Sequence, residues 1–162
     1  MSGRAFVFGD DIDTDVLAPG RYMKGPIEGL AQHCLEAVDP DFARNVRPGD
    51  FVVAGRNFGM GSSREQAAQA LKVLGVSAVV AKSFGGIFYR NALNLGLPVV
   101  VCAGSDAINP GDRLGIDLAR GHVINETSGR TLQSEPLPAF LLEMLADGGL
   151  VAHLEKRFTR RA

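Results

Sequence analysis

Apolar residues along this chain fall into two textures. Short continuous runs occur at residues 5–8, 51–54, 76–81 and 98–102, each bounded by turn residues, which is the pattern of strands buried on both faces. Between them, apolar positions recur at helical spacing. The spacing predicts one helix over 67–74, closed by Gly75, and another over 83–95, closed by Gly96, with Ile87, Phe88, Ala92, Leu93 and Leu95 as its apolar side. Strand, helix, strand, helix, strand in this order predicts parallel βαβ units covered on both faces. Upstream, Ile27, Leu30, Ala31, Cys34 and Leu35 share one face of a helix predicted over 27–35, which leaves His33 on the polar side as a surface histidine. Residues 16–26, with Pro19, Gly20, Gly25 and Pro26, predict a loop, and Asp39-Pro40-Asp41 opens a short helical turn.

Beyond Ala103 the texture changes. Leu114, Ile116 and Leu118 alternate with other residues as in a half-buried strand, and turns at Arg120-Gly121 and Ser128-Gly129 predict hairpins through 122–124 and 131–132. A helix follows over 136–146, with Leu137, Phe140, Leu141, Met144 and Leu145 inward and Gly148-Gly149 as its stop. The tail, 150–162, carries Lys156, Arg157, Arg160 and Arg161 and predicts a solvated end or, second, a partner-docking segment. The fold class expected is α/β: a mostly parallel central sheet flanked by helices, with a C-terminal β-hairpin region. There is no internal repeat and no linker, so residues 1–162 form a single domain.

Composition narrows the function classes. With 17 Lys+Arg against 18 Asp+Glu, the chain has no basic excess to attract nucleic acid or an anionic membrane. No apolar run is long enough to span a bilayer, and the N-terminus has no signal-peptide pattern, so the cytoplasm is the expected compartment. Cys34 and Cys102 stand far apart in apolar surroundings without metal-ligand spacing, and are expected to be reduced, buried thiols.

Two stretches carry candidate chemistry. The first is Gly55-Arg56-Asn57-Phe58-Gly59-Met60-Gly61-Ser62-Ser63-Arg64-Glu65-Gln66, placed between a predicted strand and a predicted helix. Glycine allows close backbone approach, a helix start offers free N–H groups, and Arg64 adds a fork for carboxylate or phosphate. Ser63 with Gln66, and Ser62 with Glu65, have capping-box spacing. The Walker, dinucleotide and esterase patterns all fail here, because Gly61 is followed by Ser62, Ser63 and Arg64. The second stretch is Asp10-Asp11-Ile12-Asp13-Thr14-Asp15. A calcium loop fails at Val16 and Tyr22. An aspartyl-phosphatase motif at Asp13-Thr14-Asp15-Val16 and a solvated turn with Asx-type hydrogen bonds both remain open.

The glycine-rich stretch resembles the signature of the swivelling domain of the aconitase superfamily. The resemblance extends to Asp11-x-Asp13-Thr14-Asp15, to Pro19-Gly20-Arg21-Tyr22, and to Lys82-Ser83-Phe84 through Ile87-Phe88-Tyr89-Arg90-Asn91 to Gly96-Leu97-Pro98. With this domain alone present, the chain resembles the small-subunit family of isopropylmalate dehydratases. That resemblance implies a swivelling-type fold and a hydro-lyase reaction that moves a hydroxyl between neighbouring carbons of a di- or tricarboxylate. It also implies a large-subunit partner, in a heterodimer or heterotetramer, whose cysteines hold a 4Fe–4S cluster, with no metal in this chain. By position, Ser62 is the expected base, Asp15 an expected active-site residue, and Ser63 and Arg64 the expected carboxylate ligands. The loop Tyr22-Met23-Lys24-Gly25 is the expected seat of substrate choice, with Met23 meeting an isopropyl group. Lys24 leaves homoaconitate open, dimethylmalate is a further alternative, and Ala18 in place of a serine argues against citrate. A non-catalytic swivel domain that binds an anion or a partner is the competing class.

Overall fold

Parallel strands carry the apolar runs: β1 (Ser2–Val7), β2 (Phe51–Val53), β3 (Ala78–Ala81) and β4 (Val99–Val101). The computed structural model describes residues 1–161; Ala162, which ends the tail, and the Arg161 side chain lie outside the described residues. Three further strands, β5 (Arg113–Asp117), β6 (His122–Asn125) and β7 (Arg130–Gln133), form an antiparallel meander. The sheet order is β4-β3-β2-β1-β5-β6-β7. β1 joins the two halves, because Ala5–Val7 pair in parallel with β2 while Ser2–Arg4 pair antiparallel with β5.

The helices are α1 (Thr14–Leu17), α2 (Ile27–Ala31), α3 (Phe42–Asn45), α4 (Gln66–Val73), α5 (Gly86–Asn94), α6 (Ala139–Ala146) and α7 (Leu150–Arg161). Alternation along the strands divides the core in two. Val52, Val79 and Val99 face the helices, packing with Leu17, Phe42, Leu71, Phe88 and Leu97. Phe51, Val53, Val80 and Val100 face the other way, packing with Ile108, Leu114, Ile116 and Val123. The second face of the parallel strands is therefore covered by the curled meander and its lead-in loop rather than by another helical layer. Each large side chain buried this way contributes about 1.5–3 kcal/mol.

Several boundaries differ from the sequence pattern, each for a local reason. The helix predicted over 27–35 stops at Ala31, because Leu35 adopts a φ of 63° and its N–H donates to Val16 O at 3.0 Å. The loop predicted over 16–26 contains the last turn of α1 and a 3-10 turn at Gly20–Tyr22. The solvated tail is the 12-residue helix α7, with Leu150 packed on the core and Val151 and Phe158 exposed. Both cysteines are free and buried, Cys34 on the helical side and Cys102 on the meander side. Among the described residues no helix is long and apolar enough to cross a membrane.

This topology positions the site. β1 and β2 are parallel neighbours, so the loops leaving their carboxyl ends emerge side by side at one edge of the sheet. One loop carries the aspartates and the other carries the glycines and serines.

Candidate active site

The two loops are stitched together by their backbones and by Asp10 and Asp11. Asp10 Oδ1 accepts from Arg56 N at 2.8 Å, an approach that a side chain at Gly55 would block, since a Cβ there would lie 1.8 Å from the same oxygen. Asp11 N donates to Arg56 O at 2.8 Å, and Asp11 Oδ1 accepts from Asn57 Nδ2 at 3.0 Å. Asp13 caps α1, its Oδ1 accepting from Val16 N at 2.9 Å, which is the Asx-type bond expected of the turn. Gly59 N donates to Ile12 O at 2.6 Å and Thr14 N to Met60 O at 2.9 Å. Asp10 and Asp13 are thus answered by backbone N–H groups and Asp11 by the Asn57 amide, whereas Asp15 is answered by a cation.

Ser62 is reached through Gly59, at φ 78°, and Gly61, at φ 114°. This run ends short of α4, whose N-cap is Glu65 with no side-chain cap. The capping boxes expected from Ser62 and Ser63 are absent for that reason: both serines precede the first turn, and the N–H of Ser62 is already engaged elsewhere. It donates to Thr14 Oγ1 at 3.2 Å, while Ser62 Oγ lies 3.2 Å from the same oxygen. Thr14 is buried and Ser62 is exposed.

Arg64 reaches across to the aspartate loop. Its Nη1 donates to Asp15 Oδ1 at 2.8 Å and to Ala18 O at 3.1 Å, and Gly20 N adds a bond to Asp15 Oδ1 at 3.2 Å. The Arg64 guanidinium, and then the Gly20 amide, hold the Asp15 carboxyl below its ordinary value. The Asp15 side chain is nevertheless 70% exposed and that of Arg64 30%. Asp13, Thr14, Asp15, Gly61, Ser62 and Arg64 line an open pocket of about 250 Å³. It presents a hydroxyl, a cation and a carboxylate to one small volume, the equipment for gripping a polar acid and moving a proton.

Among the residues singled out from sequence, Asp15, Ser62 and Arg64 come together here, and Ser63 is exposed on the same loop. Tyr22, Met23 and Lys24 do not line this pocket. Tyr22 stacks on His33 with centroids 3.5 Å apart, so His33 is half-buried beneath a ring instead of lying free on the surface. Met23 packs against the helical core and Lys24 is exposed. Pattern reading missed Thr14 as the partner of Ser62 and Ala18 O as an acceptor for Arg64. Both are contacts between segments more than forty residues apart, which no local spacing signals.

The donor set here does not suit an iron–sulfur cluster. Burial raises the thiols of Cys34 and Cys102, and the two lie in separate cores. Among the described residues, no three His, Cys, Asp or Glu side chains group in a way that could hold a metal ion.

The family model for the aconitase C-terminal domain matches residues 25–103, which include the glycine-serine loop of this pair. The chain is 54% identical over 158 residues to the 3-isopropylmalate dehydratase small subunit 2 of Archaeoglobus fulgidus, covering 96% of this chain and 95% of that protein. It is 46% identical over 159 residues to the isopropylmalate/citramalate isomerase small subunit of Methanocaldococcus jannaschii, covering 97% and 95%. A crystal structure of a 3-isopropylmalate dehydratase from Methanocaldococcus jannaschii superposes with a TM-score of 0.93 at 45% identity, covering 99% of this chain and 96% of that one. The chain belongs to the family of 3-isopropylmalate dehydratase small subunits.

Proposed function

We propose that this chain is the small subunit of a 3-isopropylmalate dehydratase, interconverting 2- and 3-isopropylmalate by dehydration and rehydration in leucine biosynthesis. The observation that carries the reading is the convergence of Ser62, Asp15 and Arg64 on one open pocket in a member of this family. Ser62 Oγ, as an alkoxide, takes the proton from the substrate carbon. The released electron pair forms the carbon–carbon double bond as hydroxyl leaves the neighbouring carbon, and rehydration returns the proton from the same oxygen. Arg64 and Ser63 hold a substrate carboxylate. Arg64 Nη1 is taken by Asp15 and Ala18, so the carboxylate meets the remaining edge of the guanidinium. Asp15 keeps that edge aimed into the pocket and completes its polar wall.

The other half of the site comes from a large subunit, in a heterodimer or heterotetramer in the cytoplasm. Its 4Fe–4S cluster supplies Lewis-acid chemistry at the departing hydroxyl. Tyr22, Met23 and Lys24 lie outside the pocket itself, on the loop that follows Gly20, and it is that loop which meets the substrate side chain; Met23, a flexible apolar group, suits an isopropyl substituent. A second reading, a smaller malate derivative as an additional substrate, is favoured by the Methanocaldococcus relative, an isopropylmalate/citramalate isomerase small subunit. An isopropyl group exceeds a methyl by two carbons, each worth about 1–3 kcal/mol in such a pocket, so the smaller acid is expected to be the weaker substrate of the two.

Reconstitution tests the reading. The chain mixed with its cluster-bearing large subunit isomerises isopropylmalate and the chain alone does not. A stable pair without hydratase activity on any malate derivative would support a binding module instead.

A further inference from the structure

The contact between Thr14 and Ser62 admits a proton count. An amide N–H can only donate, so the 3.2 Å contact from Ser62 N makes Thr14 Oγ1 an acceptor there. The single hydroxyl proton of Thr14 is left to go elsewhere. Ser62 Oγ, 3.2 Å away, is the acceptor that the described hydrogen bonds offer it. Thr14 lines the pocket yet is only 4% exposed, so water has little access to that proton, whereas Ser62 is exposed. The threonine is itself immobilised, with its N–H donating to Met60 O at 2.9 Å and its C=O accepting from Ala18 N at 2.8 Å. Gly61 leaves room for the approach, since a Cβ at that position would lie 3.0 Å from Thr14 Oγ1.

We infer that Thr14 is a positioning residue whose hydroxyl donates to Ser62 Oγ, orienting it and stabilising its deprotonated form. This rests on the reading of Ser62 as the base and deepens it. A protonated Ser62 can exchange donor and acceptor roles with Thr14. An alkoxide can only accept, so the bond strengthens to a charge-assisted one in the state that abstracts the proton. Thr14 therefore acts on turnover more than on substrate binding.

The test uses the complex reconstituted with the large subunit, with 3-isopropylmalate as substrate and assembly checked by mass. Thr14→Val keeps the branched shape and removes the hydroxyl. It is expected to lower kcat by about 10- to 100-fold, the loss of one hydrogen bond to a charged group, with KM within about twofold. The acidic limb of the kcat–pH profile is expected to move to higher pH, because the base becomes harder to deprotonate. Thr14→Ser, which retains the hydroxyl, is expected to restore kcat to within about threefold of the parent. The Thr14→Ala and Thr14→Ser pair repeats the comparison without the γ-methyl, in case valine hinders folding. A Thr14→Val complex with parental kcat and profile, or equal losses in Thr14→Ser and Thr14→Ala, would overturn the inference. Ser62→Ala separates the two levels. If that variant turns over normally the base assignment fails, whereas an inactive Ser62→Ala beside an unaffected Thr14→Val removes Thr14 alone.

Discussion

Asp15 and Asp147 are the same chemical group in the same kind of company, yet they do different things. Asp15 accepts from the Arg64 guanidinium at 2.8 Å and the Gly20 amide at 3.2 Å. Asp147 lies 2.7 Å from His153 Nδ1 and accepts from Lys156 Nζ at 2.9 Å, and these partners, His153 first, hold its carboxyl below the ordinary value. The difference is in what remains free. Asp147 has one oxygen matched to each partner and a side chain only 14% exposed, so it staples α7 to the end of α6. Asp15 receives both bonds on one oxygen, and its largely exposed side chain lines the pocket shared with Ser62. The larger depression of about 510 Å³ at the α6–α7 end holds this Asp147–His153–Lys156 group, with Glu143, Arg157 and Arg160 around it. A carboxylate with basic neighbours is therefore no guide to function until its unused valences are located.

Substitutions break this comparison in graded steps. Ser62→Ala in the reconstituted complex is expected to lower kcat by about 10²- to 10⁴-fold while leaving assembly intact, measured by steady-state turnover and mass. Arg64→Lys keeps the charge and loses the planar fork, and is expected to reduce kcat/KM by about 10- to 100-fold. Asp15→Asn is expected to cost about tenfold in kcat/KM, because the amide no longer anchors Arg64 by charge. Asp147→Asn is expected to leave turnover unchanged and to lower Tm by a few degrees at neutral pH. The sign with pH follows from its lowered carboxyl. The stabilisation is present above the ordinary value of 3.8 and disappears as pH falls through the folded value, so the Tm gap between parent and Asp147→Asn closes in acid.

The parallel half of the fold was legible because each apolar run is short, continuous and punctuated. α4 and α5 end at Gly75 and Gly96, where the pattern places them, with φ near 86° and 83°. The cover over the second sheet face was not legible: alternation at Leu114 and Ile116 predicts a strand but not the surface it folds onto. α7 was obscured by its basic residues, although Leu150, Val151, Leu154 and Phe158 have helical spacing. Serine spacing suggested caps, but positive φ at Gly59 and Gly61 carries Ser62 out of the helix and into the pocket. Arg64 reads as an anion fork from its strand-to-helix turn alone, whereas the expected roles of Ser62 and Asp15 come through family resemblance, which carries contacts between distant segments. Thr14 reads from sequence only as part of a turn, because the oxygen it contacts is 48 positions away.

The central claim is that Ser62 of this chain moves the substrate proton in a site completed by another subunit. Solvent-deuterium incorporation into isopropylmalate, followed in D₂O with the reconstituted complex, tests it at the step concerned. The parent complex is expected to label the carbon from which the proton is taken, and an assembled Ser62→Ala complex to label it at below about 1% of that rate. Labelling at the parental rate by the Ser62→Ala complex would contradict the account.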